Sequence, residues 1–254
     1  MSTDTRKPRD PRSASIIKGQ RLKALAALVP ADSGRLIDVG CDHGTVPLDL
    51  LSEGIVKEIL LIDINKEPLE RAETRAKTRY PQHSDRIKYL QNDGLKGIDC
   101  RLDDVLLISG LGGETIAEVL INAFADRDKN RPSRLILQPQ SKQYELRSVL
   151  QELSFSPEQE QLVLDDERFY TIIVCFDDIA EASPLSELEL YIGPAFVKEV
   201  SESLSLKKPL ETDKLLFEWA EKQVERLKLE GRGDRGRARL AKEWAEIMGE
   251  MKHD

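Results

Sequence analysis

The chain has 254 residues, enough for one α/β domain of common size and a second, smaller element. Its composition, 40% hydrophobic and 33% charged, excludes a disordered or fibrous chain. The net charge of −8 argues against a nucleic-acid partner unless cations are clustered. Because no apolar run reaches the length of a membrane span and the N-terminus lacks the apolar core of a signal peptide, we expect a cytoplasmic protein.

Cations are clustered in two places, the head of the chain before residue 24 and the segment 231–239 (GRGDRGRAR). Each is either a solvated surface or a patch that binds RNA. The three cysteines, Cys41, Cys100 and Cys175, have no CxxC spacing and no histidine pair beside them. The pattern therefore predicts neither structural zinc nor a disulfide framework.

Apolar positions at three- and four-residue spacing over residues 15–29 predict an amphipathic helix that ends before Pro30. Strands and helices then alternate. The predicted strands cover residues 35–39, 58–62, 86–91, 104–109 and 134–137, and the predicted helices cover 46–52, 67–79, 114–124 and 142–153. Such alternation predicts βαβ units and a parallel sheet.

The alternation stops after the fifth strand, where only DDER separates two further strands, 159–164 and 169–176. We expect an antiparallel hairpin at the sheet edge, which completes the Rossmann-like seven-stranded plan of class I methyltransferases. Beyond it, one helix over 187–206, interrupted or bent at Gly193-Pro194, and another over 210–248 predict a coiled-coil-like helical hairpin. The predicted domains are a basic flexible head (1–14), a catalytic domain (15–180) and a C-terminal helical domain (181–254).

The first strand ends in DVGCDHG, which reads D-x-G-x-x-x-G from Asp38 to Gly44. Ligands of open α/β sheets bind at the carboxyl ends of strands, so this turn predicts a nucleotide-like ligand; a turn that only needs backbone room is the alternative. Asp42 replaces the middle glycine of the commoner D-x-G-x-G-x-G loop. A carboxylate repels a pyrophosphate and attracts a sulfonium and an amino group, which favours S-adenosylmethionine over a dinucleotide.

Two further strand ends carry polar residues. Asp63 ends strand two, at the spacing from Gly40 expected for a carboxylate that binds a ribose diol. Asn92 and Asp93 end strand three, where they could bind an adenine edge or form an Asx turn.

Strand four ends in SGLGG, residues 109–113, whose glycines either let the backbone approach a flat base or make a tight turn. The chain lacks the Asn/Asp-Pro-Pro-aromatic signature of enzymes that methylate exocyclic amino groups. A ring nitrogen such as adenine N1 has a free lone pair and needs less activation, so we expect methyl transfer to an unpaired or flipped base. We interpret His43 as a hydrogen-bonding residue of the cofactor loop and expect no obligatory general base.

Together, the segments DVGCDHGTVPLDLL, LIDINKEPLERA, NDGL, ISGLGGETI, LILQPQ, ELR, DDERFYTIIV and YIGPAF resemble the TrmK family of bacterial tRNA (adenine(22)-N(1))-methyltransferases over residues 17–206. The resemblance implies S-adenosyl-L-methionine as the cofactor, no metal, and a role in tRNA modification and processing. It also implies a catalytic domain followed by an RNA-binding helical hairpin. Two alternatives remain: a methyltransferase for another RNA position or a small molecule, and an inactive RNA-binding module.

The resemblance also implies the residues of the site. The implied cofactor-binding residues are Asp38, Gly40, Cys41, Asp42, His43, Gly44, Asp63, Ile64, Asn92, Asp93, Gly94, Ser109 and Gly110. The residues expected near the target base are Asp42, His43, Gly110, Gly112, Gly113, Gln138 and Pro139.

Overall fold

Strands and helices alternate along the first part of the computed structural model, which describes residues 19–126, 128–177, 184–205 and 213–249. The predicted basic head lies outside these residues. The catalytic part contains α1 (Gln20–Leu28), β1 (Ser33–Val39), α2 (Thr45–Ser52), β2 (Val56–Asp63), α3 (Lys66–Arg79), a 3₁₀ turn (Pro81–Arg86), β3 (Ile87–Gln91), β4 (Val105–Leu111), α4 (Gly113–Phe124), β5 (Arg134–Pro139), α5 (Gln143–Glu152), β6 (Phe155–Asp165) and β7 (Arg168–Asp177). Every predicted strand and helix of this part is present, with ends shifted by up to a few residues. Residues 15–18 of the first predicted helix lie outside the described residues.

The seven strands form one sheet in the order β3-β2-β1-β4-β5-β7-β6. Strands β1 to β5 pair in parallel, while β7 is antiparallel to both β5 and β6. The predicted seven-stranded class I plan with a terminal hairpin is therefore confirmed. The strand order reverses between β1 and β4, which creates a topological switch point at their carboxyl ends.

Helices cover both faces of the sheet, so its central strands are apolar throughout rather than alternating. In β1, Leu36 faces a core shared with α1, α2 and α3. The next residue, Ile37, faces a second core shared with α4 and α5. The carboxyl ends of the strands lie between these two layers, where polar residues can meet.

The described residues after β7 are mainly helical, as predicted, but they form four helices rather than two. They are α6 (Glu187–Ile192), α7 (Pro194–Ser205), α8 (Asp213–Glu230) and α9 (Arg235–Gly249). The predicted bend lies between α6 and α7, at Gly193, whose φ is +112°. The α8–α9 pair forms a helical hairpin, in which the buried indole of Trp244 donates to the Ala220 carbonyl at 3.1 Å.

The prediction of one continuous helix over 210–248 is wrong, because the chain turns between Glu230 and Arg235. The Asp234 carboxylate accepts from the N–H groups of Gly236 and Arg237, at 2.8 and 3.1 Å, and so caps α9. The break could not be recognised from periodicity, because the apolar residues on both sides of it are spaced as in a helix. Gly231 and Gly233 were the available signals.

A buried ion pair joins the helical part to the sheet. Arg147 of α5 is 1% exposed and donates to the Glu160 carboxylate of β6 at 2.7 Å. The same guanidinium donates to the carbonyls of Leu190 at 3.0 Å and of Ile192 at 3.4 Å, near the end of α6. Arg147 thus caps α6 of the helical part while it is paired with Glu160 of β6 in the sheet.

Candidate active site

A cavity of about 650 Å³ lies at the carboxyl ends of β1, β2 and β4, at the topological switch point. This volume falls within the range of small-molecule and cofactor sites. Eleven residues implied by the resemblance line it: Asp38, Gly40, Cys41, Asp42, His43, Asp63, Ile64, Asp93, Gly94, Ser109 and Gly110.

The loop between β1 and α2 is a series of left-handed residues, because φ is +73° at Gly40, +45° at Asp42 and +58° at Gly44. The N–H groups of Gly40 and Cys41 both donate to the Ile62 carbonyl, at 2.9 and 3.2 Å, which fastens the loop to β2. Glycine tolerates these angles without strain, and Asp42 is one of the few types that tolerate them at all. The turn therefore leaves room for a ligand above the strand ends.

Asp38 is the most buried carboxyl of the cavity, with 5% of its surface exposed. Burial raises its pKa to about 7, and the nearby charges of Asp63 and Asp42 add to the shift. No lysine or arginine among the described residues forms a salt bridge with Asp38 or Asp63. A ligand with a positive group would supply the missing partner.

Asp63 and the end of β3 form the next part of the wall. One Asp63 oxygen accepts from the Asn65 N–H at 3.0 Å, and no other described residue bonds the second oxygen. The Asn92 amide instead donates to the carbonyls of Gly94 and Lys96, at 3.0 and 2.9 Å. Asn92 thus shapes the turn that brings Asp93 and Gly94 to the cavity.

Asp42 and His43 lie at the mouth of the cavity, where about half or more of each side chain is exposed. Asp42 accepts from Arg71 of α3 at 2.9 Å, so its charge is partly offset. His43 Nε2 lies 3.7 Å from the other Asp42 oxygen. This exposure makes His43 a mouth residue rather than a buried base.

The end of β4 forms the opposite wall. The pairing of β4 with β5 shifts register between Ser109 and Leu111, and Gly110 has a φ of +81°. A bulge of this kind redirects the residues that follow it. Ser109, Gly110 and Leu111 consequently line the cavity together with Gln140.

Six implied residues do not line the cavity: Gly44, Asn92, Gly112, Gly113, Gln138 and Pro139. Gly113 is a packing position, since an added Cβ would lie 2.2 Å from the Lys142 carbonyl oxygen. Gln138 is fully buried, and its side-chain oxygen accepts from Arg21 at 2.8 Å. Gly113 and Gln138 therefore make packing and hydrogen-bonding contacts outside the cavity wall.

The sequence pattern missed several residues of the wall, including Arg21, Leu22, Asn65, Pro68, Thr115 and Gln140. Gln140 could have been predicted from the sequence, because it directly follows the strand end LILQP. Arg21 belonged to the basic cluster before residue 24, but nothing in the periodicity of α1 places that helix over the strand ends.

A sheet of this order with an acidic cavity at its switch point defines the class I methyltransferase fold. The chain belongs to the methyltransferase-domain family, whose model matches residues 18–173.

Curated and solved relatives agree with this class. A Bacillus subtilis tRNA (adenine(22)-N(1))-methyltransferase is 27% identical over 194 residues, 74% of this chain and 78% of that protein. A Streptococcus pneumoniae structure in complex with S-adenosyl-L-methionine has a TM-score of 0.73 and 24% identity, over 90% of this chain and 98% of that one. The Mycoplasma capricolum TrmK structure with S-adenosyl-homocysteine has a TM-score of 0.68 and 20% identity, over 91% and 96% of the two chains.

No helix among the described residues combines the length and apolar character that crossing a bilayer requires. Within the same residues, no three His, Cys, Asp or Glu side chains are grouped as metal ligands would be.

Proposed function

We propose that this protein transfers a methyl group from S-adenosyl-L-methionine to N1 of adenine 22 in tRNA, in the cytoplasm. The observation that carries the proposal is the pair of buried carboxyls without a cation, Asp38 and Asp63, at the switch point of a methyltransferase-family sheet. The position on tRNA is supported by the name of the Bacillus subtilis relative.

The residues of the cavity fit S-adenosyl-L-methionine. Asp38 would pair with its positive amino group, since that carboxyl is buried and has no cation of its own. Asp63 would accept from the ribose diol with its free oxygen, and the Asp93-Gly94 turn would border the adenine. When bound, this cofactor supplies an electrophilic methyl group.

The wall at the end of β4 suits a flat acceptor. Gly110 lacks a side chain and is partly exposed on the cavity wall, so a base could approach the backbone there. N1 of adenine carries its own lone pair, so the task of these residues is alignment rather than proton removal. Asp42 and His43, at the mouth, would offset the positive charge of the methylated base.

The C-terminal helices would hold the rest of the tRNA, as a domain that we place at residues 181–254. Arg232 and Arg235 are exposed at the α8–α9 turn and form no salt bridge with another described residue. Exposed arginines without a carboxylate partner can contact phosphates. We therefore include this turn in the proposed RNA surface.

The test is methylation of an unmodified bacterial tRNA transcript that carries adenine at position 22. We expect 1-methyladenosine at that position after digestion and mass spectrometry, and none in a matched transcript with guanine 22. A methylated base elsewhere, or methylation of small molecules alone, would contradict the substrate. Failure to bind S-adenosyl-L-methionine in calorimetry would contradict the enzyme itself.

A further inference from the structure

Arg21 of α1 is the one lysine or arginine along the described wall of a cavity that otherwise carries four carboxylates. All four carboxylates lie at or near the carboxyl ends of three neighbouring strands. Asp38 and Asp42 lie at the end of β1, Asp63 ends β2, and Asp93 follows β3. Arg21 is instead attached over β5 and β7, on the other side of the switch point. The cavity therefore has an acidic half and a half with a single cation.

Two neutral side chains hold the Arg21 guanidinium. The buried Gln138 amide oxygen accepts from it at 2.8 Å, and the Gln138 nitrogen donates in turn to the Pro139 carbonyl at 3.0 Å. The Tyr170 ring lies under the guanidinium, with 5.4 Å between Cζ and the ring centroid. These contacts fix the amide orientation and leave several of the five N–H donors unused.

The helix that carries Arg21 is fastened at both ends. The Gln20 N–H donates to the Asp165 carboxylate at 2.7 Å, and Arg134 of β5 donates to the Leu28 carbonyl at 3.0 Å. Arg21 therefore occupies a preorganised position at the cavity rather than a mobile surface position.

Arg21 is held by the neutral side chain of Gln138 and not by a carboxylate. Its positive charge therefore determines which ligand it can bind. No acidic group among the described residues forms a salt bridge with Arg21, so its charge is not neutralised. A fork of free N–H donors with a full positive charge matches a phosphate. The sulfonium cofactor, being positive, is matched by the acidic half instead.

We propose that Arg21 is a substrate-positioning residue that binds a backbone phosphate beside the target adenosine of tRNA. This inference rests on the proposed function. Held by Gln138 and Tyr170, the guanidinium fixes the phosphate over β5 and β7, so the attached base enters towards Gly110 and Leu111.

The experiment compares wild type, Arg21→Met, Arg21→Lys and Gln138→Glu, with Arg101→Met as the matched control. Arg101 is a half-exposed arginine that precedes β4, at the end of the sheet away from the cavity. Steady-state kinetics with tRNA are measured at several salt concentrations, and cofactor affinity is measured by calorimetry.

We expect Arg21→Met to lower kcat/KM for tRNA roughly 10- to 100-fold, mainly through KM, and to reduce the slope of log affinity against log salt by about 1. Its cofactor affinity should change by less than about threefold, which also reports a folded cavity. Arg21→Lys should retain the salt slope, and Gln138→Glu should weaken tRNA binding because the new carboxylate neutralises Arg21. Arg101→Met should behave as wild type.

An unchanged salt slope in Arg21→Met with lost activity would mean that the guanidinium stacks on the base and would overturn the phosphate assignment. Equal losses of cofactor and tRNA affinity would overturn it as well. If the wild type methylates tRNA and Arg21→Met does too at the same rate, only this inference fails. If the wild type does not methylate tRNA, the proposed function fails first.

Discussion

Asp38 in the cavity and Glu160 at the junction with the C-terminal helices are both buried carboxyls, and burial raises the pKa of each. Glu160 is paired with Arg147, which opposes the shift. Asp38 has no cation among the described residues, and its acidic neighbours add to the shift. The contrast separates a buried charge that stabilises the fold from one that is kept for a ligand.

The largest effect should follow from breaking the pair at the junction. Arg147→Met leaves Glu160 buried without a cation and α6 without its cap, so we expect the free energy of unfolding to fall by about 3–5 kcal/mol. The change in the free energy of unfolding is measured by urea denaturation. The exposed pair Lys77–Glu73 gives the control, since Lys77→Met should cost below about 0.5 kcal/mol. A loss under about 1 kcal/mol for Arg147→Met would contradict the structural role.

The next effect is a pH dependence of stability due to Asp38. Its folded-state pKa, about 7, lies above the ordinary aspartate pKa of 3.8, so the folded protein holds an extra proton between these two pH values. This contribution to stability is present at low pH and is lost as the pH rises to about 7 and beyond. Asp38→Asn should therefore stabilise the ligand-free protein more at pH 8 than at pH 5, by up to a few kcal/mol. If Asp38→Asn changed the free energy of unfolding equally at pH 5 and pH 8, the raised pKa of Asp38 would be contradicted.

A third effect should appear in ligand binding rather than in stability. Asp63→Asn keeps the shape but removes a charged acceptor, so we expect S-adenosyl-L-methionine affinity to fall roughly 10- to 100-fold in calorimetry. Asp93→Asn should have a smaller effect, because Asp93 is exposed and already paired with Lys96. Similar losses of cofactor affinity for the two variants would contradict the role of Asp63 as a specific ligand of the ribose.

The smallest effect should come from His43. Because it lies at the mouth and adenine N1 needs no deprotonation, His43→Ala should lower the single-turnover rate less than about tenfold. A fall of several orders of magnitude with cofactor affinity intact would identify His43 as an obligatory base.

The sheet could be predicted from the sequence because each strand carries its own signal. Apolar runs such as 58–62, bounded by turn residues, give a strand wherever they lie in the fold. The α8–α9 break could not be found in this way. It depends on Gly231 and on the Asp234 cap, while the periodicity on either side is equally helical.

The site was predictable to the extent that it lies on strand ends. Asp38, Asp63 and Gly110 follow from the rule that ligands bind there, and all three line the cavity. The contact between Arg21 and Gln138 did not follow, and Gln138 was expected near the base instead, because that contact exists only after α1 packs across β5 and β7. Residues brought in by tertiary packing leave no local pattern.

The junction also determines how the helical part can be studied. Leu162 and Phe169 of the terminal hairpin pack into the core of the C-terminal helices, and Arg147 bonds the end of α6. A chain cut near residue 180 would expose both apolar side chains, and Leu162 lies on the long edge strand β6, which could then template aggregation. Truncation would thus confuse lost solubility with lost RNA recognition, so single substitutions at Arg232 and Arg235 are the appropriate way to separate them.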